Sequence, residues 1–157
     1  MNQKEIVRLL SEQDFFSGLN QDHLEWLSGN AGESRFDTDE LVARQGDRAD
    51  RFFLLLEGSL GVEIPAIAGP KLEVTKLGPG QIFGWSWLIR PYKWHFNARA
   101  LEPTRVVDFD GKAILEHCED DPEFGYALLK LFSYLMATRL EAAQRKMMDQ
   151  WAPAGMP

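Results

Sequence analysis

The apolar positions of this chain change their period twice. Up to about residue 31 they form short clusters at helical spacing: Ile6, Val7, Leu9 and Leu10, then Leu24 and Leu27 with Trp26 beside them. Asn20 stands ahead of the second cluster and offers the side-chain acceptor that a helix N-terminus needs, so a short helix is predicted there. Between the two clusters, Phe15-Phe16-Ser17-Gly18-Leu19 reads as an aromatic pair followed by a turn.

From Ser34 to Asp110 the runs become short and strand-like: Leu41–Ala43, Phe52–Leu56, Leu60–Ile64, Leu72–Leu77 and Thr104–Phe109. Turn chemistry separates them at Gln45-Gly46-Asp47, Glu57-Gly58, Ala68-Gly69-Pro70 and Gly78-Pro79-Gly80. Many short strands with a turn signal about every 8–12 residues predict a sandwich or β-roll.

Helical spacing returns after Asp110. Gly111 to Glu119 predicts a short helix, and Asp121-Pro122-Glu123 is a strong second start, with a carboxylate cap and proline at the first helical position. No breaker follows Gly125 until about Gln150, which predicts a rod of roughly 40 Å. That rod carries two apolar stripes. One is Phe124, Leu128, Leu131 and Leu135; the other is Leu129, Phe132, Met136, Leu140, Ala143, Met147 and Trp151. A surface helix needs one stripe for its own core. The second predicts a homodimer interface with the same helix of another copy. The segment Arg139–Lys146, interrupted by Glu141, reads as the solvated side of the helix. Pro153-Ala154-Gly155-Met156-Pro157 stops the helix and leaves no room for a DNA-reading helix, so no DNA-binding domain is expected.

Composition narrows the function classes. With 157 residues, 45% hydrophobic and 26% charged, the chain has the size and balance of one soluble globular domain. Its net charge of −7 argues against a nucleic-acid partner, since duplex binding is driven by Lys and Arg on phosphates. No run approaches the roughly 18 apolar residues of a membrane span, and the N-terminus lacks a signal peptide's apolar centre. Cys118 is the only cysteine, which excludes an internal disulfide and a multi-thiolate metal site. These features point to the cytoplasm. Cys118 itself, among Glu116, Glu119 and Asp120, reads as a small buried hydrophobe with a raised pKa.

The richest chemistry lies between Phe83 and Ala100. Three of the five tryptophans, Trp85, Trp87 and Trp94, fall there beside Arg90, Lys93 and His95. Indoles offer apolar area and a single donor, while the cations invite an anion. The alternative is that the tryptophans pack beneath the loop and the cations are solvated. Catalysis is not expected: His23, His95 and His117 fall in three elements without metal-ligand spacing. The carboxylates Glu119-Asp120-Asp121 sit where capping explains them, and no metal site, activated serine or phosphate-binding P-loop is present.

Several motifs, in order, resemble the cyclic-nucleotide-binding domain of the catabolite activator and FNR-type regulators. They are Phe15–Leu19, the glycine-aspartate hairpin and strand Gln45–Gly58, the approach Leu77–Gly84, the exit Arg99–Thr104, and Met136–Leu140 in the long helix. The resemblance spans about residues 12–150. It implies a mainly β fold, a jelly-roll-like double-stranded β-roll over 32–110, with N-terminal helices in 1–31 and C-terminal helices in 111–151. It also implies a phosphate-binding cassette in 83–100, with cyclic AMP or cyclic GMP as ligand. In that family a short helix after the glycine offers N–H groups to the phosphate. A glutamate takes the ribose hydroxyl, an arginine pairs with the phosphate, and the long helix supplies hydroxyls to the base. By the resemblance those positions here are Trp85, Trp94 (or Lys93 in its place), and Ala143 with Gln144. Loss of the guanidinium–phosphate pair removes about 1.5–3 kcal/mol, which argues against tight binding by the usual contacts.

Two functional expectations follow. One is a non-catalytic sensor that binds a nucleotide-like or other small anion in a Trp-rich pocket and signals through the dimer helix. Its ligand residues would be Gly84, Trp85, Ser86, Trp87, Arg90, Lys93, Trp94, His95 and Gln144. The other is a structural or protein-interaction domain whose pocket is closed by its own tryptophans; a buried aromatic cluster would favour it.

Overall fold

The computed structural model describes residues 1–65 and 70–151, the side chains of 150 and 151 excepted. The turn expected at Ala68-Gly69-Pro70 lies largely outside these residues, as do the stop at Pro153–Pro157 and the side chain of Trp151.

Helix α1 (Gln3–Ser11) and α2 (Gln21–Ser28) flank a single 3-10 turn at Asp14–Phe16. Asn20 caps α2 as expected, its side chain accepting from the His23 N–H at 2.9 Å. Eight strands follow: β1 (Ala31–Phe36), β2 (Leu41–Ala43), β3 (Arg51–Glu57), β4 (Leu60–Ile64), β5 (Leu72–Leu77), β6 (Ile82–Phe83), β7 (Asn97–Ala100) and β8 (Thr104–Asp110). They form two antiparallel sheets, in the orders β1-β8-β3-β6 and β2-β7-β4-β5. This is the expected double-stranded β-roll. The glycine turns do what the sequence asks of them. Gly58 has a φ of 88°, and a Cβ there would stand 2.5 Å from the Pro103 carbonyl oxygen, so only glycine closes the β3–β4 hairpin.

β3 explains how roll and helices share one core. Its run is buried on both faces instead of alternating, because each face has its own cover. On the helix side, Phe52 stacks on Phe109 with centroids 4.4 Å apart and meets Phe132 at 4.9 Å. On the other side, Phe53 lies near Phe36, Phe83 and Trp94.

After β8 come α3 (Gly111–Asp120) and α4 (Pro122–Trp151). The Phe124 N–H donates to Asp121 Oδ1 at 3.1 Å, the expected carboxylate cap. The 30 residues of α4 make a rod of about 45 Å. Its first stripe faces inward, with Phe124, Leu128 and Leu135 buried and Phe124 packed against His23 and Trp26 of α2 and His117 of α3.

Two expectations for α4 are corrected. Phe132 is fully buried among Phe15, Phe52 and Trp87, so it belongs to the monomer's core and not to a dimer face. Met136 is half-buried against the same core, whereas Leu129, Leu140 and Met147 are exposed and Ala143 is half-buried. Arg139 is not on the solvated side: it is buried, and its Nη2 donates to the Ile82 carbonyl at 2.6 Å. Among the described residues, no helix is long and apolar enough to cross a membrane.

Candidate functional site

The segment from β6 to β7 is held in place by the turn that follows β2. The Gly46 N–H donates to the Trp94 carbonyl at 3.0 Å, and the Trp94 N–H donates back to the Asp47 carbonyl at 2.9 Å. The Ala49 N–H reaches the Tyr92 carbonyl at 2.7 Å. The Gln45 N–H reaches Asn97 Oδ1 at 2.7 Å, and its side-chain amide donates to the His95 carbonyl at 3.3 Å. The Gln45-Gly46-Asp47 turn is therefore a clamp on residues 92–97, and its sequence motif and the tryptophan-rich motif are one structural unit.

That clamp sets Trp94 inward. The indole is buried, 5.3 Å from the Phe83 ring and 6.4 Å from the Phe53 ring. Its edge lies over Gly84, where an added Cβ would stand 3.1 Å from Cζ3 and 3.2 Å from Cη2. Gly84 has a φ of 109°, in the region that favours glycine. The glycine is required twice, by its backbone and by the ring that rests on it.

The residues after Gly84 form a turn, closed by the Leu88 N–H on the Trp85 carbonyl at 3.1 Å. The short helix implied by the family resemblance does not form. Trp87 turns into the protein: its Nε1–H donates to the Gly84 carbonyl at 3.1 Å, and its ring packs on Phe52 at 5.3 Å and Phe132 at 5.1 Å. Only 1% of Trp87 is exposed, so it is a core side chain and not the expected stacking wall for a ligand.

Trp85, Ser86 and His95 do come together. The Trp85 and His95 rings stack with centroids 4.2 Å apart, both half-buried. The buried Ser86 Oγ accepts from the His95 backbone N–H at 3.3 Å and lies 2.8 Å from Nδ1. Either atom of that pair can donate, and the ring's tautomer sets the direction. Burial pushes the His95 pKa below the ordinary histidine range. His95 is thus a hydrogen-bonding and stacking residue at neutral pH, not the cation that anion binding asked of it.

Arg90 and Lys93 are exposed, and Lys93 forms an isolated bridge with Arg48. Gln144 is exposed on α4, and no hydrogen bond joins it to the cassette among the described residues. A cavity of about 330 Å³ opens beside Trp94 between β2 and β3, with Arg44, Arg48, Arg51, Asp47 and Asp50 around it. Its cations and carboxylates are mixed, and Arg51 pairs with Asp50 and Asp108 at 3.7 Å each.

Outside the segment, the histidines lie in separate elements as expected, and Arg139 does not lie where the sequence reading put it. His23 and His117, on separate helices, both meet the Phe124 ring, at 5.2 and 4.8 Å, and His117 stacks on Trp26 at 3.9 Å. Their company is aromatic, and no group of three metal-ligating side chains gathers among the described residues. Arg139 was hidden by its charge. Its one sequence signal is the four-residue step from Leu135, which continues the buried stripe.

The family model of the cyclic nucleotide-binding domain matches residues 33–121. A CRP-like cAMP-activated global transcriptional regulator of Mycobacterium tuberculosis is 23% identical over 141 residues, 90% of this chain. The chain spans 61% of the length of that relative. Among solved structures, a candidate cyclic nucleotide-binding protein from Geobacter metallireducens GS-15 is 31% identical with a TM-score of 0.76, covering 86% of this chain and 97% of its own. A cyclic nucleotide-binding domain from Methylobacillus flagellatus KT has the same fold, with a TM-score of 0.76 at 18% identity, covering 94% of this chain and 83% of its own.

Proposed function

The chain belongs to the cyclic nucleotide-binding domain family, and from that premise we propose that it is a non-catalytic regulatory module whose cassette is filled by its own tryptophan. The observation that carries this reading is the Trp94 ring resting on Gly84. In the family's binding mode the space beside that glycine receives the phosphate, with a glutamate and an arginine to hold ribose and phosphate. By the resemblance the corresponding positions here are Trp85, stacked on His95, and Trp94, seated in the core, or exposed Lys93 in its place. An indole displaced from such a site would give up several kcal/mol of buried contact, about 3–5 by the cost of truncating a core aromatic. A cyclic nucleotide would have to supply that energy without the usual charged partners.

The module acts in the cytoplasm and passes its signal through α4. Leu129, Leu140 and Met147 are exposed along one stripe of that helix, joined by half-buried Met136 and Ala143, and a second copy of the chain is the simplest cover for them.

A second reading draws on the one pair of cassette rings that is not fully enclosed. A planar anion could take the place of His95 on the Trp85 indole, with Arg90 or Lys93 closing over its charge and Ser86 donating to it.

Calorimetric titration with cyclic AMP and cyclic GMP tests the closed cassette. The unmodified chain gives no saturable heat up to millimolar nucleotide, while a Trp85→Glu/Trp94→Arg double variant, in which the family's contacts return, binds. Saturable micromolar binding by the unmodified chain would overturn the closed cassette.

A further inference from the structure

Among the described residues, an apolar hollow lies away from the cassette, between α4, the Asp14–Phe16 turn and the Gly80–Ile82 turn. Its volume is about 590 Å³, within the range of small-molecule sites. Phe15, Ile82, Leu131 and Leu135 supply apolar walls, and Arg139 lies at the buried end. Arg139 is 8% exposed. Its guanidinium carries five N–H donors, and one hydrogen bond, to the Ile82 carbonyl, is what it makes among the described residues. Its other nitrogens are not sealed off: the one buried side-chain nitrogen without a partner among the described residues is Arg99 Nε. Arg139 is among the residues that line the hollow.

A guanidinium is costly to bury without a counter-ion. Burial pushes the Arg139 pKa down to about 10, with no carboxylate among the described residues acting against that shift. The nearest acid on the hollow's lining is Asp14, which is exposed, and Lys130 stands exposed on the same lining. The hollow therefore has a cationic floor, greasy walls and a mouth with one charge of each sign.

We infer that this hollow is a ligand site for an amphipathic organic carboxylate, its anionic head paired with Arg139 and its apolar body lying along Phe15, Leu131 and Leu135. A planar carboxylate matches the guanidinium's donors in pairs, which neutral or compact ligands do not. The site does not depend on the state of the cassette: cyclic AMP binding would overturn the closed cassette and leave this inference standing.

Octanoate is the probe, with octanol as its uncharged counterpart and inorganic phosphate as an anion without an apolar body. Calorimetry on the full chain is expected to show saturable octanoate binding, with octanol, phosphate, and octanoate on Arg139→Gln each at least about tenfold weaker. Amide chemical shifts of the unmodified chain locate the ligand whether or not that variant folds. Octanoate should move Gly80, Gln81, Tyr134 and Thr138 and leave the indole signals of Trp85 and Trp94 in place. Equal affinity for octanol, shifts confined to other surfaces, or no saturable binding would each overturn the inference.

Discussion

A methyl group on Gly84 would press on the ring of Trp94: the two positions are 3.1 Å apart, in a backbone whose φ of 109° already excludes most side chains. Together they make the cassette of this chain a packed element of the core.

Gly84→Ala should therefore destabilise the fold by at least about 2 kcal/mol, from backbone strain and displacement of the indole together. Urea unfolding measures this. Shrinking the ring as well, in Gly84→Ala/Trp94→Ala, relieves the close contact but not the strain, so the double variant stays below the parent. An unchanged midpoint for Gly84→Ala would contradict the packing described.

Phe132 and Leu140 lie two turns apart on α4 and play opposite roles. Phe132→Ala should cost about 3–5 kcal/mol, as removal of a fully buried aromatic does. Leu140→Glu/Met147→Glu should leave the far-ultraviolet circular dichroism unchanged and convert a dimer to a folded monomer in light scattering. A variant with the parent's mass would remove α4's exposed stripe as the interface.

His95 should titrate below the ordinary histidine range, because burial favours the neutral ring. For a base with a depressed pKa, the folded state binds its proton less readily than the unfolded state. Stability from this group is then present above the unfolded value and declines as pH falls through it. Imidazole chemical shifts against pH test the direction.

Cys118 gives the opposite sign. Burial, then Glu119 and Asp121, raise its thiol from 9.0 to about 11. At pH 8 its thiolate fraction should be about a hundredfold below that of an unperturbed thiol, with disulfide reagents slowed accordingly. Because the folded state holds this proton longer, its contribution is full below pH 9 and is lost as pH rises toward 11. The stability difference between the parent and Cys118→Ala should shift over that window.

What was legible in the sequence followed from side-chain size and periodicity. Leu60–Ile64 and Leu72–Leu77 are the observed strands, and Asn20 and Asp121 cap the helices they announce. β7 was missed because its two buried positions are Ala98 and Ala100, too small to register as an apolar run. β6 is only two residues long, and β1 buries little. At the site, composition placed the tryptophans together but could not orient them. Trp94 turns inward because the Gln45–Asp47 clamp fixes the backbone it hangs from, a contact between segments nearly fifty residues apart; Trp87 is tied by its own hydrogen bond to the Gly84 carbonyl. Arg139 was misread for a related reason: a lone charge in an amphipathic helix signals solvent, unless the fold provides a carbonyl such as that of Ile82 to receive it.

The most direct measurement is the set of indole Nε1–H resonances followed through a titration with cyclic AMP. If Trp94 fills the cassette, its signal and that of Trp87 stay slow to exchange and do not move at millimolar nucleotide. A saturable shift of the Trp94 indole would mean that the ring gives way to a ligand, and would contradict the self-filled site.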